Sequence, residues 1–197
     1  MDRIAIIGAG LMGHGLALVF ARGGHQVTIT VAFAEARDTV KARVAVTLAG
    51  LGETADYVDR IEVAPDLPAA VKDADIIVEA PPEKLSLKQG LFEQLDRAAQ
   101  PDAILAPTTS VIPIGRIADR IVSKHRDIGT HWWNPPYLVP LVEVVQADGT
   151  APQTVARMMA LLTALGKVPV HVKKDVPGFV GNRVQHALWR EAIALVE

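Results

Sequence analysis

The fold is decided by a short stretch near the amino terminus, Ile4-Ala5-Ile6-Ile7-Gly8-Ala9-Gly10-Leu11-Met12-Gly13. The β-branched run before Gly8 predicts a buried strand, and the apolar spacing from Leu11 to Arg22 predicts a helix. Between them stands the pattern G-x-G-x-x-G, which allows a tight turn, close backbone approach to a pyrophosphate and close helix–strand packing. This context predicts a dinucleotide-binding unit rather than an ordinary glycine-rich turn. The predicted cofactor contacts, at the positive end of the helix, are Gly8, Gly10, Leu11, Met12 and Gly13.

Apolar runs and amphipathic stretches alternate along the rest of the chain. Strands are predicted over residues 26–31, 60–64, 74–78, 103–106, 128–131, 141–145 and 168–172, and helices over 34–51, 67–72, 84–98 and 154–165. This alternation is typical of an α/β protein with a Rossmann-type, doubly wound, mostly parallel sheet. From Pro177 the pattern is helical and continues to Glu197. We therefore predict a Rossmann domain over residues 1–176 and the first helix of an all-helical domain over residues 177–197.

Composition narrows the classes of function. Half of the 197 residues are hydrophobic, which supports a sizeable core, and the net charge of −2 predicts no bulk attraction to nucleic acid or an anionic membrane. The absence of cysteine excludes disulfides, thiolate metal sites and a cysteine nucleophile, and the six histidines lack metal-ligand spacing. No apolar stretch approaches the roughly 20 residues of a membrane span. We expect a soluble, cytoplasmic protein that binds no metal.

The position that selects the ribose is unusual. An acidic residue that binds the ribose 2′-hydroxyl is expected about 20 residues after the glycines, at the end of the second strand. Val31 occupies that place. Glu35 and Arg37 follow on the next predicted helix, but their spacing matches neither an NAD nor an NADP signature. NAD is the expected cofactor, and NADP is not excluded.

Four further segments complete a recognisable set. They are Val78–Glu83, Thr108–Ser110, His131–Pro135 with Leu141–Val145, and Pro177–Arg183. In this order and spacing, and together with the glycine turn, they resemble the L-3-hydroxyacyl-CoA dehydrogenase family over almost the whole chain. The resemblance implies NAD-dependent oxidation of an L-3-hydroxyacyl-CoA, a role in fatty acid metabolism, and a homodimer for the full-length protein.

The residues themselves support this chemistry. Oxidising a secondary alcohol requires a hydride acceptor and a base, and histidine is the usual base near neutral pH. His131 closes a predicted strand at the carboxyl edge of the sheet, and Glu143 on the next strand is placed to orient its imidazole. Ser110 and Asn182 are placed to donate to the substrate oxygen. The resemblance assigns these roles to the same four positions.

The resemblance also implies cofactor contacts through Glu83, Lys88 and Ser110. Each site residue has a plainer alternative. His131 beside two tryptophans fits a core histidine, and Ser110 or Asn182 fits a helix cap. Glu83 and Lys88 fit charges on a solvated helix face.

The chain departs from acyl-CoA members of the family near the substrate. No lysine stands shortly before Glu143, Thr108 replaces the usual asparagine, and Trp132-Trp133 follow His131. The amino-acid sequence from Asn134 to Glu143 is more similar to the carnitine and gulonate 3-dehydrogenase branch of the family. A 3-hydroxyacyl-CoA type substrate remains the leading hypothesis, and a small non-thioester 3-hydroxy compound is the alternative. A non-catalytic nicotinamide-nucleotide-binding module is the alternative from another class.

Overall fold

The computed structural model of the chain describes residues 1–31 and 34–196. The suggested role of the Glu35 side chain, and the continuation of the last helix to Glu197, lie outside what the structure describes. The strands are β1 Arg3–Ile7, β2 Gln26–Thr30, β3 Ile61–Val63, β4 Ile76–Glu79, β5 Ile104–Pro107, β6 Gly129–Trp132, β7 Leu141–Val145 and β8 Val168–Val172. The α-helices are α1 Leu11–Arg22, α2 Ala34–Arg37, α3 Val40–Gly50, α4 Leu67–Val71, α5 Leu85–Ala98, α6 Ile114–Ile117, α7 Pro152–Ala164 and α8 Gly181–Ala194.

The first five strands form one parallel sheet in the order β3-β2-β1-β4-β5. The last three form a second sheet in the order β6-β7-β8, in which β6 and β7 are antiparallel and β7 and β8 are parallel. Two parallel bridges, Leu105 with Asp127 and Thr108 with Thr130, bring the start of β6 beside β5. The predicted Rossmann-type α/β fold is confirmed.

Helices cover both faces of the central sheet, which explains its continuous apolar strands. In β1, Ile4 and Ile6 belong to the core on one face, whereas Ala5 and Ile7 belong to the core on the other. A strand buried on both faces has no polar alternation, so the run from Ile4 to Ile7 is apolar throughout. Because the five strands are parallel, their carboxyl ends meet at one edge of the sheet, where the glycine turn lies.

The predicted helix over residues 34–51 is two helices. The chain leaves the helical path between α2 and α3, where the Thr39 hydroxyl donates to the Ala36 carbonyl at 2.9 Å. Such a local side-chain bond offers the backbone an alternative to the helix. The short α6 and the 3₁₀ turns at Ala55–Arg60, Ala118–Arg120 and Lys124–Arg126 were not predicted, because such short elements carry no periodicity.

The last helix, α8, is exposed along most of its length. No residue of α8 is buried, and Val184, Leu188, Trp189 and Ile193 are exposed apolar side chains on it. Within the described part of the chain, no helix is long and apolar enough to cross a membrane. The start of α8 is nevertheless fixed to the domain, as the site geometry below shows.

A buried acid, Asp127, lies just before strand β6. Asp127 is 1 % exposed, and neither carboxylate oxygen meets a hydrogen-bond donor in the described part of the protein. Burial raises the pKa of Asp127 well above its usual range, and the negative charges of Asp175, Glu79 and Asp96 raise it further. The native state therefore holds this carboxyl in its neutral form over a wide pH range.

We expect Asp127→Asn to remove the part of the free energy of unfolding that varies with pH because of this buried carboxyl. Because the folded-state pKa is raised, the native protein binds more protons than the unfolded chain at pH values above the usual carboxyl range, so wild-type stability falls as pH rises there. The slope reaches about 1.4 kcal/mol per pH unit. Urea unfolding from pH 5 to pH 8 should show a flatter profile for the variant. Asp148→Asn, at an exposed aspartate, is the control; parallel profiles for wild type and Asp127→Asn would contradict the assignment.

Candidate active site

The glycine turn has the geometry that its sequence predicts. Gly8 has φ +104°, and its N–H donates to the Thr30 carbonyl at the end of β2 at 2.8 Å. A side chain on Gly13 would collide with the Gly8 carbonyl oxygen. A β-carbon on Gly10 would meet nothing within 4 Å, and α1 begins there without a side-chain cap. The open space above the first turn of α1 therefore fits the diphosphate of a dinucleotide.

Two adjoining cavities form one cleft along the carboxyl edge of the sheet. The larger, of about 910 Å³, runs from Gly8 and Gly10 past Val31 to α5. The smaller, of about 350 Å³, contains the residues predicted to be catalytic. Ala80 and Pro81 line both. The larger volume falls in the range of cofactor sites, so the cleft fits a nucleotide in one part and a small reacting group in the other.

The proposed base and its partner face each other across two strands. The antiparallel register pairs His131 of β6 with Glu143 of β7, and the distance from His131 Nδ1 to Glu143 Oε2 is 2.5 Å. Both side chains are buried, at 3 % and 2 % exposure. Glu143 is therefore not a strand carboxylate that faces solvent, and His131 has a specific polar partner.

The Glu143 carboxylate is also bound at its second oxygen. The backbone N–H groups of Val180 and Gly181, at the start of α8, both donate to Oε1 at 2.9 Å. Burial acts to raise the pKa of Glu143, but the hydrogen bonds from His131, Gly181 and Val180 outweigh it, and the pKa lies below its usual value. The carboxylate is therefore ionised at neutral pH and accepts the Nδ1 proton of His131. In the neutral imidazole this leaves Nε2 with a lone pair.

The structure brings all four predicted catalytic residues to the smaller cavity. His131, Ser110 and Asn182 line it, and Glu143 lies directly behind His131. The Asn182 amide donates to the Ser110 backbone carbonyl at 2.7 Å, which ties the start of α8 to the loop after β5. The Ser110 hydroxyl and the remaining Asn182 amide proton are the candidate hydrogen-bond donors to a substrate oxygen in this cavity.

The predicted cofactor contacts divide between the two cavities. Met12 lines the smaller one, while Leu11, the first residue of α1, has a 66 % exposed side chain. Glu83 also lines the smaller cavity, and it shapes the loop that carries Ser110. Its Oε1 accepts the backbone N–H groups of Ser110 at 3.0 Å and Val111 at 3.3 Å, together with the Thr109 hydroxyl.

The structure differs from prediction at Lys88. Its side chain is fully buried, so it is neither a charge on a solvated helix face nor open to the cleft. The ammonium donates to Glu79 at 2.9 and 3.1 Å and to the Thr108 carbonyl at 2.8 Å, and it lies 3.6 Å from Glu83. Lys88 therefore helps to position Glu83. Because its side chain is fully buried, it is not placed to contact a cofactor in the cleft directly.

Three residues of the site escaped sequence reasoning. Glu79 ends the apolar strand β4, and burial raises its pKa to about 7 against the opposing effect of Lys88. An acid in an apolar strand was the available signal, the same one that marked Glu143. Arg43 donates to the Ala9 carbonyl in the glycine turn at 2.5 Å, and no sequence pattern links α3 to that turn. Trp133 lies beside His131 with ring centroids 4.9 Å apart and the rings tilted by 46°.

The glycine turn, the continuous cleft and the strand order define a nicotinamide-nucleotide-binding domain of the Rossmann type. The sequence profile of the 3-hydroxyacyl-CoA dehydrogenase NAD-binding domain matches residues 3–176. The chain belongs to this family, and its cofactor is NAD. The resemblance to the family and to its carnitine-like branch is confirmed.

Individual relatives agree with this assignment. The chain is 42% identical over 199 residues to 5-formyl-3-hydroxy-2-methylpyridine 4-carboxylate 5-dehydrogenase of Mesorhizobium japonicum, covering 98% of this chain and 64% of that protein. It is 38% identical to L-carnitine dehydrogenase of Streptomyces coelicolor, covering 98% and 62%. The structure of 3-hydroxybutyryl-CoA dehydrogenase from Escherichia coli superposes with a TM-score of 0.87 at 35% identity, covering 100% and 44%. The chain thus spans less than two thirds of the length of these relatives.

We expect Lys88→Met to destabilise the fold by about 3–5 kcal/mol at pH 8, because it leaves the Glu79 carboxylate buried without its cation. The loss should be smaller at pH 5, where a carboxyl with a raised pKa is protonated and neutral. Urea unfolding at both pH values measures the difference. The double variant Glu79→Leu/Lys88→Met should recover much of the loss at pH 8. An equal loss at both pH values would contradict the charge argument.

Proposed function

We propose that the protein is an NAD-dependent oxidoreductase that acts on the CH–OH group of a small 3-hydroxy compound. The observation that carries this proposal is the buried His131–Glu143 pair, with 2.5 Å between Nδ1 and Oε2. His131 lines a cavity that shares Ala80 and Pro81 with the larger nucleotide cavity. A non-catalytic nucleotide-binding module has no use for an oriented base. The same pair therefore argues against that alternative.

The residues of the chain divide the reaction between them. When bound, NAD supplies the hydride acceptor. His131 takes the hydroxyl proton on Nε2, because Nδ1 already donates to Glu143. The ionised Glu143 then stabilises the imidazolium that forms and keeps the ring in one orientation. In the opposite direction, the same imidazolium returns the proton to the carbonyl oxygen.

The substrate oxygen needs donors on its other side. Ser110 and Asn182 line the same cavity as His131, and the Asn182 amide donates to the Ser110 backbone carbonyl, which holds the two residues together. Such fixed donors stabilise the charge that develops on oxygen as its proton leaves. Glu83 supports this arrangement by binding the backbone on both sides of Ser110's carbonyl.

The substrate class is proposed from the wall of the smaller cavity. Trp133 presents an aromatic surface beside His131, and a β-carbon on Gly181 would be only 2.5 Å from the Trp133 ring, so α8 and the indole close tightly on one another. Trp132 is 5 % exposed and packs edge-on against Phe20. With no lysine before Glu143, and with relatives named for carnitine and for a pyridine carboxylate, a small non-thioester substrate is favoured.

A 3-hydroxyacyl-CoA is the second candidate, favoured by the family whose profile the chain matches. A homodimer of the full-length protein, a role in fatty acid metabolism and a cytoplasmic location stay predictions from the resemblance and the composition.

We expect His131→Gln to lower kcat by about 10²–10⁴-fold, since a general base contributes this much. Binding of NADH should change little, because the glutamine amide still donates to Glu143 and the glycine turn is untouched. Stopped-flow turnover and NADH fluorescence titration measure the two effects separately. His125→Gln, at an exposed histidine, is the matched control. Equal loss of turnover and NADH affinity would argue against His131 as the base.

A substrate panel separates the two candidate classes. Carnitine, gulonate and free 3-hydroxybutyrate would be compared with 3-hydroxybutyryl-CoA under identical NAD concentrations. We expect kcat/KM for the preferred free compound to exceed that for the thioester by at least about tenfold, a difference of about 1.4 kcal/mol in transition-state binding. A higher value for the thioester would overturn the small-substrate proposal and leave the chemistry of His131 intact.

A further inference from the structure

The residue that directly follows β2 is not the acid that normally selects NAD. The strand β2 ends at the buried Thr30, whose carbonyl binds the Gly8 N–H, and the next residue is Val31. An NAD-selective site places a carboxylate at this point, where it accepts the ribose 2′-hydroxyl and repels a 2′-phosphate. Val31 does neither, so this strand end imposes no electrostatic barrier to phosphate.

A guanidinium occupies the same corner. Arg37 on α2 donates from Nε to the Val31 carbonyl at 3.3 Å and lines the larger cavity. The hydrogen bond fixes the side chain at the end of β2, beside the position that the missing carboxylate would take. Arginine presents several donors in a rigid planar group that matches phosphate oxygens.

A second guanidinium reaches the corner from α3. Arg43 donates from Nη2 to the Ala9 carbonyl at 2.5 Å, in the middle of the glycine turn. Its Nε is buried and has no hydrogen-bond partner among the described residues. Arg43 also lines the larger cavity. Arg37 thus contacts the end of β2, Arg43 contacts the glycine turn, and both line the same cavity.

Among the residues that the structure describes, the charged side chains lining this cavity carry more positive than negative charge. They are Arg37, Arg43 and Asp66. The Asp66 carboxylate caps α4 by accepting the Ala69 N–H at 2.9 Å, so it already has a partner of its own. Two guanidiniums against one engaged carboxylate complement a dianion better than a neutral hydroxyl.

We propose that Arg37 and Arg43 form a subsite for the 2′-phosphate of a dinucleotide, so that the protein binds NADP(H) as well as NAD(H). The inference rests on the nucleotide cleft of the proposed function and adds the identity of the group at its far end. The remaining guanidinium donors bind either a ribose hydroxyl or a phosphate, and Val31 in place of an acid at the end of β2 removes the usual discrimination between the two.

Fluorescence titration of the protein with NADH and with NADPH tests the proposal without relying on turnover. We expect the two Kd values to agree within about tenfold at 0.1 M salt, whereas a site with the usual acid discriminates more strongly. A Kd for NADPH more than about tenfold weaker than that for NADH overturns the proposal. In that case NADH binding still supports the proposed function. Failure of both nucleotides to bind overturns the proposed function itself, and this inference with it.

Two variants and one control test whether Arg37 and Val31 decide the preference between NADPH and NADH. Arg37→Ala should weaken NADPH by about tenfold or more and NADH by less than about threefold, since only the phosphate loses a charge-assisted hydrogen bond. Equal weakening of both would mean that the guanidinium serves the adenosine generally, and it would overturn the phosphate assignment. Arg97→Ala, on the exposed face of α5, controls for loss of one positive charge. Val31→Asp should restore selectivity by weakening NADPH while leaving NADH binding unchanged or tighter.

Discussion

The site depends on one buried carboxylate, that of Glu143. An ionised group without partners is very costly inside a protein, and Glu143 is almost completely buried. Its stability there requires all three of its donors: the His131 imidazole and the backbone N–H groups of Val180 and Gly181. The same contacts that make burial tolerable also set the tautomer of the proposed base and the starting point of α8. The Glu143 carboxylate on β7 therefore fixes the positions of His131 on β6 and of the start of α8 relative to each other.

A second carboxylate plays a matching part on the neighbouring strand. Glu79 ends β4 and holds the Lys88 ammonium, which in turn lies beside Glu83 and binds the Thr108 carbonyl. Glu83 then accepts the backbone N–H groups that follow Thr109. The ion pair between Glu79 and Lys88 thus supports the loop that carries Ser110. Both arrangements lie at the carboxyl edge of the sheet, where the strands end and polar groups reach the cleft.

Sequence predicted most of the fold because glycine turns and apolar strands are local signals. The strand–turn–helix unit at Gly8–Gly13 needed only spacing, and the structure confirms the α/β class. The opposition of His131 and Glu143 depended on an antiparallel register that no spacing reveals, so their pairing came from chemistry and resemblance. Lys88 was misjudged because a lysine on an amphipathic helix normally faces solvent. Its burial depends on Glu79, a partner nine residues away that only the fold brings near.

The attachment of α8 to Glu143 has a consequence for how the site behaves as an ensemble. Val180 and Gly181 donate their N–H groups to the carboxylate that also binds His131, so the position of α8 and the orientation of the imidazole depend on the same group. Any ligand that favours the docked helix also favours the competent tautomer, and by reciprocity an imidazolium at His131 holds the helix in place. Since α8 buries none of its own side chains, the coupling runs through the hydrogen bonds at its start, from Val180 and Gly181 to Glu143 and from Asn182 to the Ser110 carbonyl.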